Sequence, residues 1–288
     1  MKNILYYYYG IIVSKMDNDG YFAYQNHLFC LYKIKRNIEE VNALIVLNQF
    51  MISNHLKINK IIFNNYLKPI TVHDDQFYVL ILIKYRFCMD YFSFIEAPLN
   101  NQLNILRRNN WAYLWSMKVD YFEKNQKLFK DKYPLINESM DYYIGMAENA
   151  ISYFKMLQLN NEKLFISHRR VDVNDFYNPL ELVLDYKVRD ISEYIKKIVF
   201  QERKSLLDIK NIINNMELSH IDYLLLFNRL LYPSYYFDMV DEIINDKKEE
   251  KEIMQIINLS MTYENMLADI YRFIKRKYPI MEIEWLMI

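Results

Sequence analysis

Glycine is the scarcest structural resource in this 288-residue sequence, with only Gly10, Gly20 and Gly145. No G-x-G-x-x-G loop and no P-loop can therefore exist in it, because both use closely spaced glycines to bring backbone amides onto a phosphate. Two cysteines, Cys30 and Cys88, form no C-x-x-C, which argues against a zinc site or a disulfide framework. A reducing cytosolic origin is the default for such a chain. The five histidines (His27, His55, His73, His168, His220) show no H-x-x-x-H pair, so a zincin-type centre is excluded on spacing. There is no excess of either charge, with 36 Lys+Arg against 36 Asp+Glu, which argues against a dominant nucleic-acid role. No apolar run approaches the ~20 residues of a membrane span. The opening "MKNILYYYYGIIV" lacks a small-residue cleavage site and reads as a buried strand rather than a signal peptide.

What the sequence does hold is apolar. Hydrophobic residues make up 52% and charged ones 25%, enough to bury a sizeable core. The 27 tyrosines match what an A+T-rich genome produces without functional cause. The first part reads as strand-rich: Ile4 to Lys15 and Tyr21 to Ile34, with Asp19-Gly20 as the hairpin turn between them. A helical stripe follows through Ile38, Val41 and Ile45, with Asn37 as N-cap and Glu39 and Glu40 in the first turn. Ile58 to Phe63, Thr71-Val72 and Phe77 to Lys84 are further strand candidates, with "HDD" at the turn before the last. Helices then dominate. "NNWAYLWSMKVDYFEKNQKLF" and "NESMDYYIGMAENAISYFKML" carry apolar residues at helical spacing. Asp190 with Glu193 reads as a capping box, and Ser205 with Asp208 and Ser219 with Asp222 as two more caps. "NDKKEEKE" reads as a solvated face or loop. The expected class is α+β, with a small sheet region followed by a mostly helical one.

Between two of the helices lies "ISHRRVDVNDFYNPLELVLDY", Ile166 to Tyr186. In a His-x-Asp-x-x-x-x-Asn phosphoryl-transfer loop, the Asp accepts the substrate hydroxyl proton and the Asn holds a metal ion. Here His168 stands first, Arg170 takes the Asp place and Asp175 the Asn place. The element order, this loop and a strand ending in Asp resemble the protein kinase-like fold of aminoglycoside and choline phosphotransferases. More narrowly, "YLWSMKVDYFE", "DYYIGMAENAISYF", "SHRRVDVNDFYNP" and "LDYKVRDISEYIK" resemble the kinase-like spore coat proteins related to coat protein S, in their YutH-like group.

The resemblance implies a bilobal kinase-like fold, with a sheet-plus-helix N-lobe over 1–86 and a helical C-lobe over 87–288 containing the loop at 166–190. Lys33, with Lys35 competing, would stand for the phosphate-pairing lysine, and Glu40 or Glu39 for its ion-pair partner. Asp185 would either reach Mg²⁺ or be a polar strand end, and His168 would anchor the loop by packing and hydrogen bonding. Arg170 is permanently protonated and accepts no hydrogen bonds, so it cannot act as the base. Losing general-base assistance costs ~10²–10⁴-fold in rate. With the glycine loop also missing, the expectation is a catalytically degenerate kinase-like protein that binds no cofactor. It would be made in the cytoplasm, placed in the spore coat, and partnered by other proteins. The alternative is an active small-molecule phosphotransferase using ATP and Mg²⁺. Asp172 or Asp175 would then be a displaced base, and Arg169 and Arg170 would hold phosphate.

Overall fold

The structure, a computed structural model, describes residues 1–85, 94–130, 132–157, 159, 162–171, 176–202 and 206–286. Cys88, Asp172, Asp175 and the expected cap Ser205 lie outside these. Grouping by contact divides the chain into two units. The first is Met1–Arg107 with Ile166–Leu184, and the second is Arg108–Phe165 with Asp185–Ile288. Residues 94–107 and Ile166–Leu184 thus group with the sheet.

In the first unit the expected opening strand is a helix, α1 (Lys2–Tyr9). Ile4 and Leu5 are both buried while Tyr6 and Tyr7 are both exposed, a pairwise pattern that a strand with period two cannot produce. Gly10 closes the helix at φ 67°, its amide returning to Tyr6 O at 3.1 Å and that of Ile11 to Leu5 O at 3.0 Å.

The expected second strand is itself a hairpin, β1 (Tyr21–Tyr24) and β2 (His27–Lys33). Its two-residue turn is Gln25-Asn26 with φ 47° and 62°, in the left-handed region that such tight hairpins require. Gly20 is not the hairpin turn. At φ 92° it accepts from Leu31 N–H at 3.0 Å, and a Cβ there would sit 2.6 Å from Leu31 O. Helix α2 (Ile38–Ser53) starts as expected, with the Asn37 side chain accepting from Glu39 N–H at 2.8 Å. Strands β3 (Lys60–Ile62), β4 (Thr71–His73) and β5 (Gln76–Ile83) complete an antiparallel sheet ordered β1-β2-β5-β3, with β4 also on β5.

The sheet has two covered faces. Leu31 and Leu80 pack with Ile4, Leu5 and Ile11 on the α1 side, while Val79 and Ile81 pack with Val41 and Ile45 on the α2 side. The buried Asn48 of α2 donates to Asn59 O at 2.8 Å and accepts from Ile61 N–H at 3.2 Å, satisfying the backbone of β3. Strands β6 (Phe165–His168) and β7 (Leu182–Asp185) form a separate pair, and Leu180 just before β7 joins the α2-side core.

The second unit is helical: α3 (Trp111–Phe129), α4 (Pro134–Met156), α5 (Arg189–Lys197), α6 (Leu206–Asn214), α7 (His220–Leu231), α8 (Ser234–Ile244), α9 (Met254–Ile257) and α10 (Ser260–Lys275). Aromatic stacking holds its core, with Tyr143 on Tyr236 at 3.8 Å, Trp115 on Tyr232 at 4.3 Å and Phe122 on Phe237 at 5.0 Å between centroids. Ser219 and Asp222 form the expected capping box of α7. The box expected from Asp190 and Glu193 does not form: α5 has Val188 as its N-cap with no side-chain cap, and Glu193 pairs with Arg229 of α7 and Lys196 of α5. "NDKKEEKE" is more than a solvated face. Glu250 Oε1 accepts from the Leu135 and Ile136 amides at 2.8 and 3.2 Å, capping α4 from a distance.

Candidate functional site

The expected site residues fall in both units. In the first, Lys33 ends β2 and is exposed, paired across the sheet with Tyr78. Directly paired strand residues point the same way, and Tyr78 belongs to the α1-side core. Glu40 sits on α2, which packs against the opposite face through Tyr32 and Ile34. The sheet therefore separates Lys33 from Glu40, and the lysine–glutamate pair of a kinase is not assembled from them. Glu40 instead faces Arg36 at 3.9 Å, an i,i+4 pair with side chains 20% and 10% exposed. Arg36 Nη1 also donates to Leu182 O at 3.4 Å. Lys35 and Glu39 are exposed, and the amide of Glu39 is taken up by the Asn37 cap.

His168 closes β6 and is buried, its ring stacked on Phe176 at 4.0 Å and 21°. Arg169 donates its amide to Glu181 O at 2.7 Å, which ties the end of β6 to the residue before β7. The side chains of Arg169 and Arg170 are exposed. Strand β7 is apolar and buried through Leu182, Val183 and Leu184, so it delivers Asp185 to a fixed position with no exposure at all.

Asp185 in the second unit has a crowded set of donors. Oδ1 accepts from the Tyr186 amide at 2.8 Å and from Trp111 Nε1 at 2.9 Å, which also lies 3.2 Å from Oδ2. Oδ2 receives Arg189 Nη1 at 2.5 Å, and Arg229 Nη1 lies 3.9 Å away. Arg229 lies over the Trp111 ring, 4.8 Å from its centroid. A carboxylate taken wholly out of water is tolerated only with such partners.

The ion pairs continue outward. Glu193 Oε1 accepts from Arg229 Nε at 2.9 Å and Lys196 Nζ at 3.2 Å, Oε2 accepts from Ser234 Oγ at 3.1 Å, and Lys196 also donates to Ser234 Oγ at 2.8 Å. Burial alone would raise the Glu193 pKa, but Lys196, Arg229 and Arg189 outweigh it and pull it down to about 2. Burial lowers Lys196 to about 8, with Glu193 offsetting only part of that cost. Burial, with a smaller part from the neighbouring Arg189, pulls Arg229 below its ordinary value, and Glu193 and Asp185 offset part of that.

A hard divalent cation prefers several free oxygen ligands. At Asp185 it would have to displace a guanidinium, and it would do so next to a second one. Among the described residues no group of three His, Cys, Asp or Glu is placed to hold a metal ion. Trp111, Arg189, Glu193 and Arg229, which define this cluster, were not singled out as site residues from the sequence. Only Arg189, four residues after Asp185, carried a local signal, as an i,i+4 pair. Among the described residues no helix is long and apolar enough to cross a membrane.

Over residues 2–270 the chain matches the family described as "Spore coat putative kinase YutH". The endospore coat-associated protein YutH of Bacillus subtilis (strain 168) is 25% identical over 210 residues, a match that spans 62% of this chain and 62% of that relative. Among solved structures, spectinomycin phosphotransferase APH(9)-Ia in complex with ADP and spectinomycin is similar at a TM-score of 0.62. It is 11% identical, with 90% of this chain and 93% of that one covered. An aminoglycoside phosphotransferase from Alicyclobacillus acidocaldarius is similar at a TM-score of 0.54 and 11% identity, over 91% and 95% of the two chains. At these identities the likeness establishes the fold alone: kinase-like, with a small antiparallel sheet and a mostly helical remainder.

Proposed function

The chain belongs to the YutH family of spore coat proteins, and from that premise we propose that it is a kinase-shaped interaction protein of the endospore coat that carries out no phosphoryl transfer. The observation that carries this reading is the state of Asp185. The residue at the metal-reaching position of a kinase is fully buried, and its oxygens are engaged by an indole, a backbone amide and guanidinium groups. Its chemistry is that of an internal anchor that joins α3, α5 and α7, not that of an open ligand. Arg170 at the base position and the β1–β2 turn built from Gln25 and Asn26 support the same reading. The first cannot accept a proton, and the second carries side chains where a glycine loop would bring bare amides to phosphate. Under this reading the protein needs no ATP and no Mg²⁺, and its partners are other proteins of the coat.

The test is to incubate the purified chain with γ-labelled ATP, Mg²⁺ and a panel of small hydroxyl and amine acceptors, beside an Asp185→Ala control, and to record thermal unfolding with and without Mg-ATP. The expected result is no labelled product from either protein and no stabilisation by nucleotide, since a ligand that binds the native state raises its melting temperature. Labelled product from the purified wild-type chain would overturn the proposal and restore the phosphotransferase reading, with Asp172 or Asp175 as base.

A further inference from the structure

The helical unit also holds a cavity of about 380 Å³ among α4, α9 and α10. That volume lies in the range of small-ligand sites. Tyr143 on α4 is one of its lining residues.

Its chemistry is one-sided. Glu138 on α4 and Glu264 on α10 bring two carboxylates, Tyr142 and Ser260 bring hydroxyls, and Ile257 lies on the wall formed by α9. No Lys, Arg or His lines it among the described residues. The positive end of α4, a natural place for an anion, is already occupied by a third carboxylate, since Glu250 accepts from the Leu135 and Ile136 amides. The Tyr142 hydroxyl donates to Glu264. Burial, the hydrogen bond to Glu264 and the charge of Glu264 push Tyr142 upward in pKa, so it stays a protonated donor. Tyr143 is only 2% exposed, and its hydroxyl has no hydrogen-bond partner among the described residues. A negative, aromatic, partly apolar recess without its own cation repels anions and favours a compact positive group on a hydrocarbon stem. Aromatic faces attract such cations, and apolar walls cover the stem.

We propose that this cavity binds an aliphatic ammonium group, the chemistry shared by a free alkyl diamine and a lysine side chain, with Glu264 and Glu138 as its counter-charges. The full chain is titrated with 1,5-diaminopentane at fixed ionic strength, with tyrosine fluorescence and thermal unfolding as readouts, and with the neutral 1,5-pentanediol as control. Saturable binding of the diamine and none of the diol is expected. Glu264→Gln is expected to weaken it about tenfold, as for loss of one charge-assisted hydrogen bond, and the more exposed Glu138→Gln less. Ile257→Trp, which fills the apolar wall and leaves both carboxylates in place, is expected to abolish binding and covers the case of an unfolded Gln variant. A parallel titration with N-acetyl-lysine methylamide separates the sources: tighter binding than the diamine assigns the site to a partner's lysine, weaker binding to a free amine. Equal responses to diamine and diol, no saturation with the diamine, or undiminished binding in folded Gln and Trp variants would overturn the proposal.

Discussion

Arg36 with Glu40 in the sheet unit and Asp185 with Arg189 in the helical unit are both oppositely charged pairs four residues apart, yet they differ in almost every physical respect. The first pair meets at 3.9 Å and keeps some contact with water on both side chains. The second meets at 2.5 Å around a carboxylate with no exposure, held also by Trp111 and the Tyr186 amide. Spacing in the chain is the same, but surroundings set the energy. A pair that retains water gains little, because water competes for both charges. A buried pair cannot lose one member without leaving the other stranded in a medium that solvates it poorly. The sheet unit thus holds a partly solvated pair on one helix, while in the helical unit Asp185 is engaged by groups on three helices.

The largest effect expected of this contrast comes from Asp185→Ala. It removes the buried carboxylate that Arg189 and the Trp111 indole engage and should lower stability by about 3–5 kcal/mol. Urea unfolding would register this as a lower midpoint at an unchanged slope. A result within experimental error of wild type would mean that Asp185 is not the joint described here.

Next in size is the acid limb of stability. The folded Glu193 carboxyl titrates at about 2 against an ordinary 4.5, so the folded state holds fewer protons in that window and its advantage exists above 4.5. As pH falls from 4.5 toward 2 that contribution disappears, about 3 kcal/mol at most. Lys196 gives the same sign at the alkaline end, although its shift comes from burial and not from attraction. Folded, it releases its proton at about 8 instead of 10.5, so the unfolded chain binds more protons above pH 8 and stability rises from pH 8 to about 10. Beyond that, buried tyrosines such as Tyr236 and Tyr263, whose ionisation is raised by burial, reverse the trend. Melting temperatures recorded across pH for wild type and Glu193→Gln would show the acid limb flattened in the variant. The smallest effect belongs to Glu40→Ala, which should cost about 1 kcal/mol or less. A loss matching that of Asp185→Ala would erase the distinction between the two units.

Elements governed by local chemistry were legible in the sequence. Asn37 announced α2, Ser219 and Asp222 announced α7, and the apolar spacing through Trp111 and Trp115 announced α3. Where local signals compete, the reading failed. The tyrosine run before Gly10 has β propensity, yet burial of adjacent Ile4 and Leu5 against the sheet makes it helical. The Gln25-Asn26 turn carries no glycine, and Asp19-Gly20 next to it offered a stronger but misplaced turn signal. Of the site, Asp185 and His168 were visible because a strand and a loop pattern frame them. Lys33 was chosen by its place near the strand end, and only the register with β5 reveals that it points away from α2.

By itself, then, the sequence determined the order of sheet and helices, the missing glycine loop, and an arginine two residues after His168. These follow from residue identity and short-range periodicity. Only the tertiary structure decided what surrounds Asp185. Its indole partner lies 74 residues away and its second guanidinium on another helix, and whether a carboxylate awaits a ligand or is already satisfied depends on which donors reach it once water is gone.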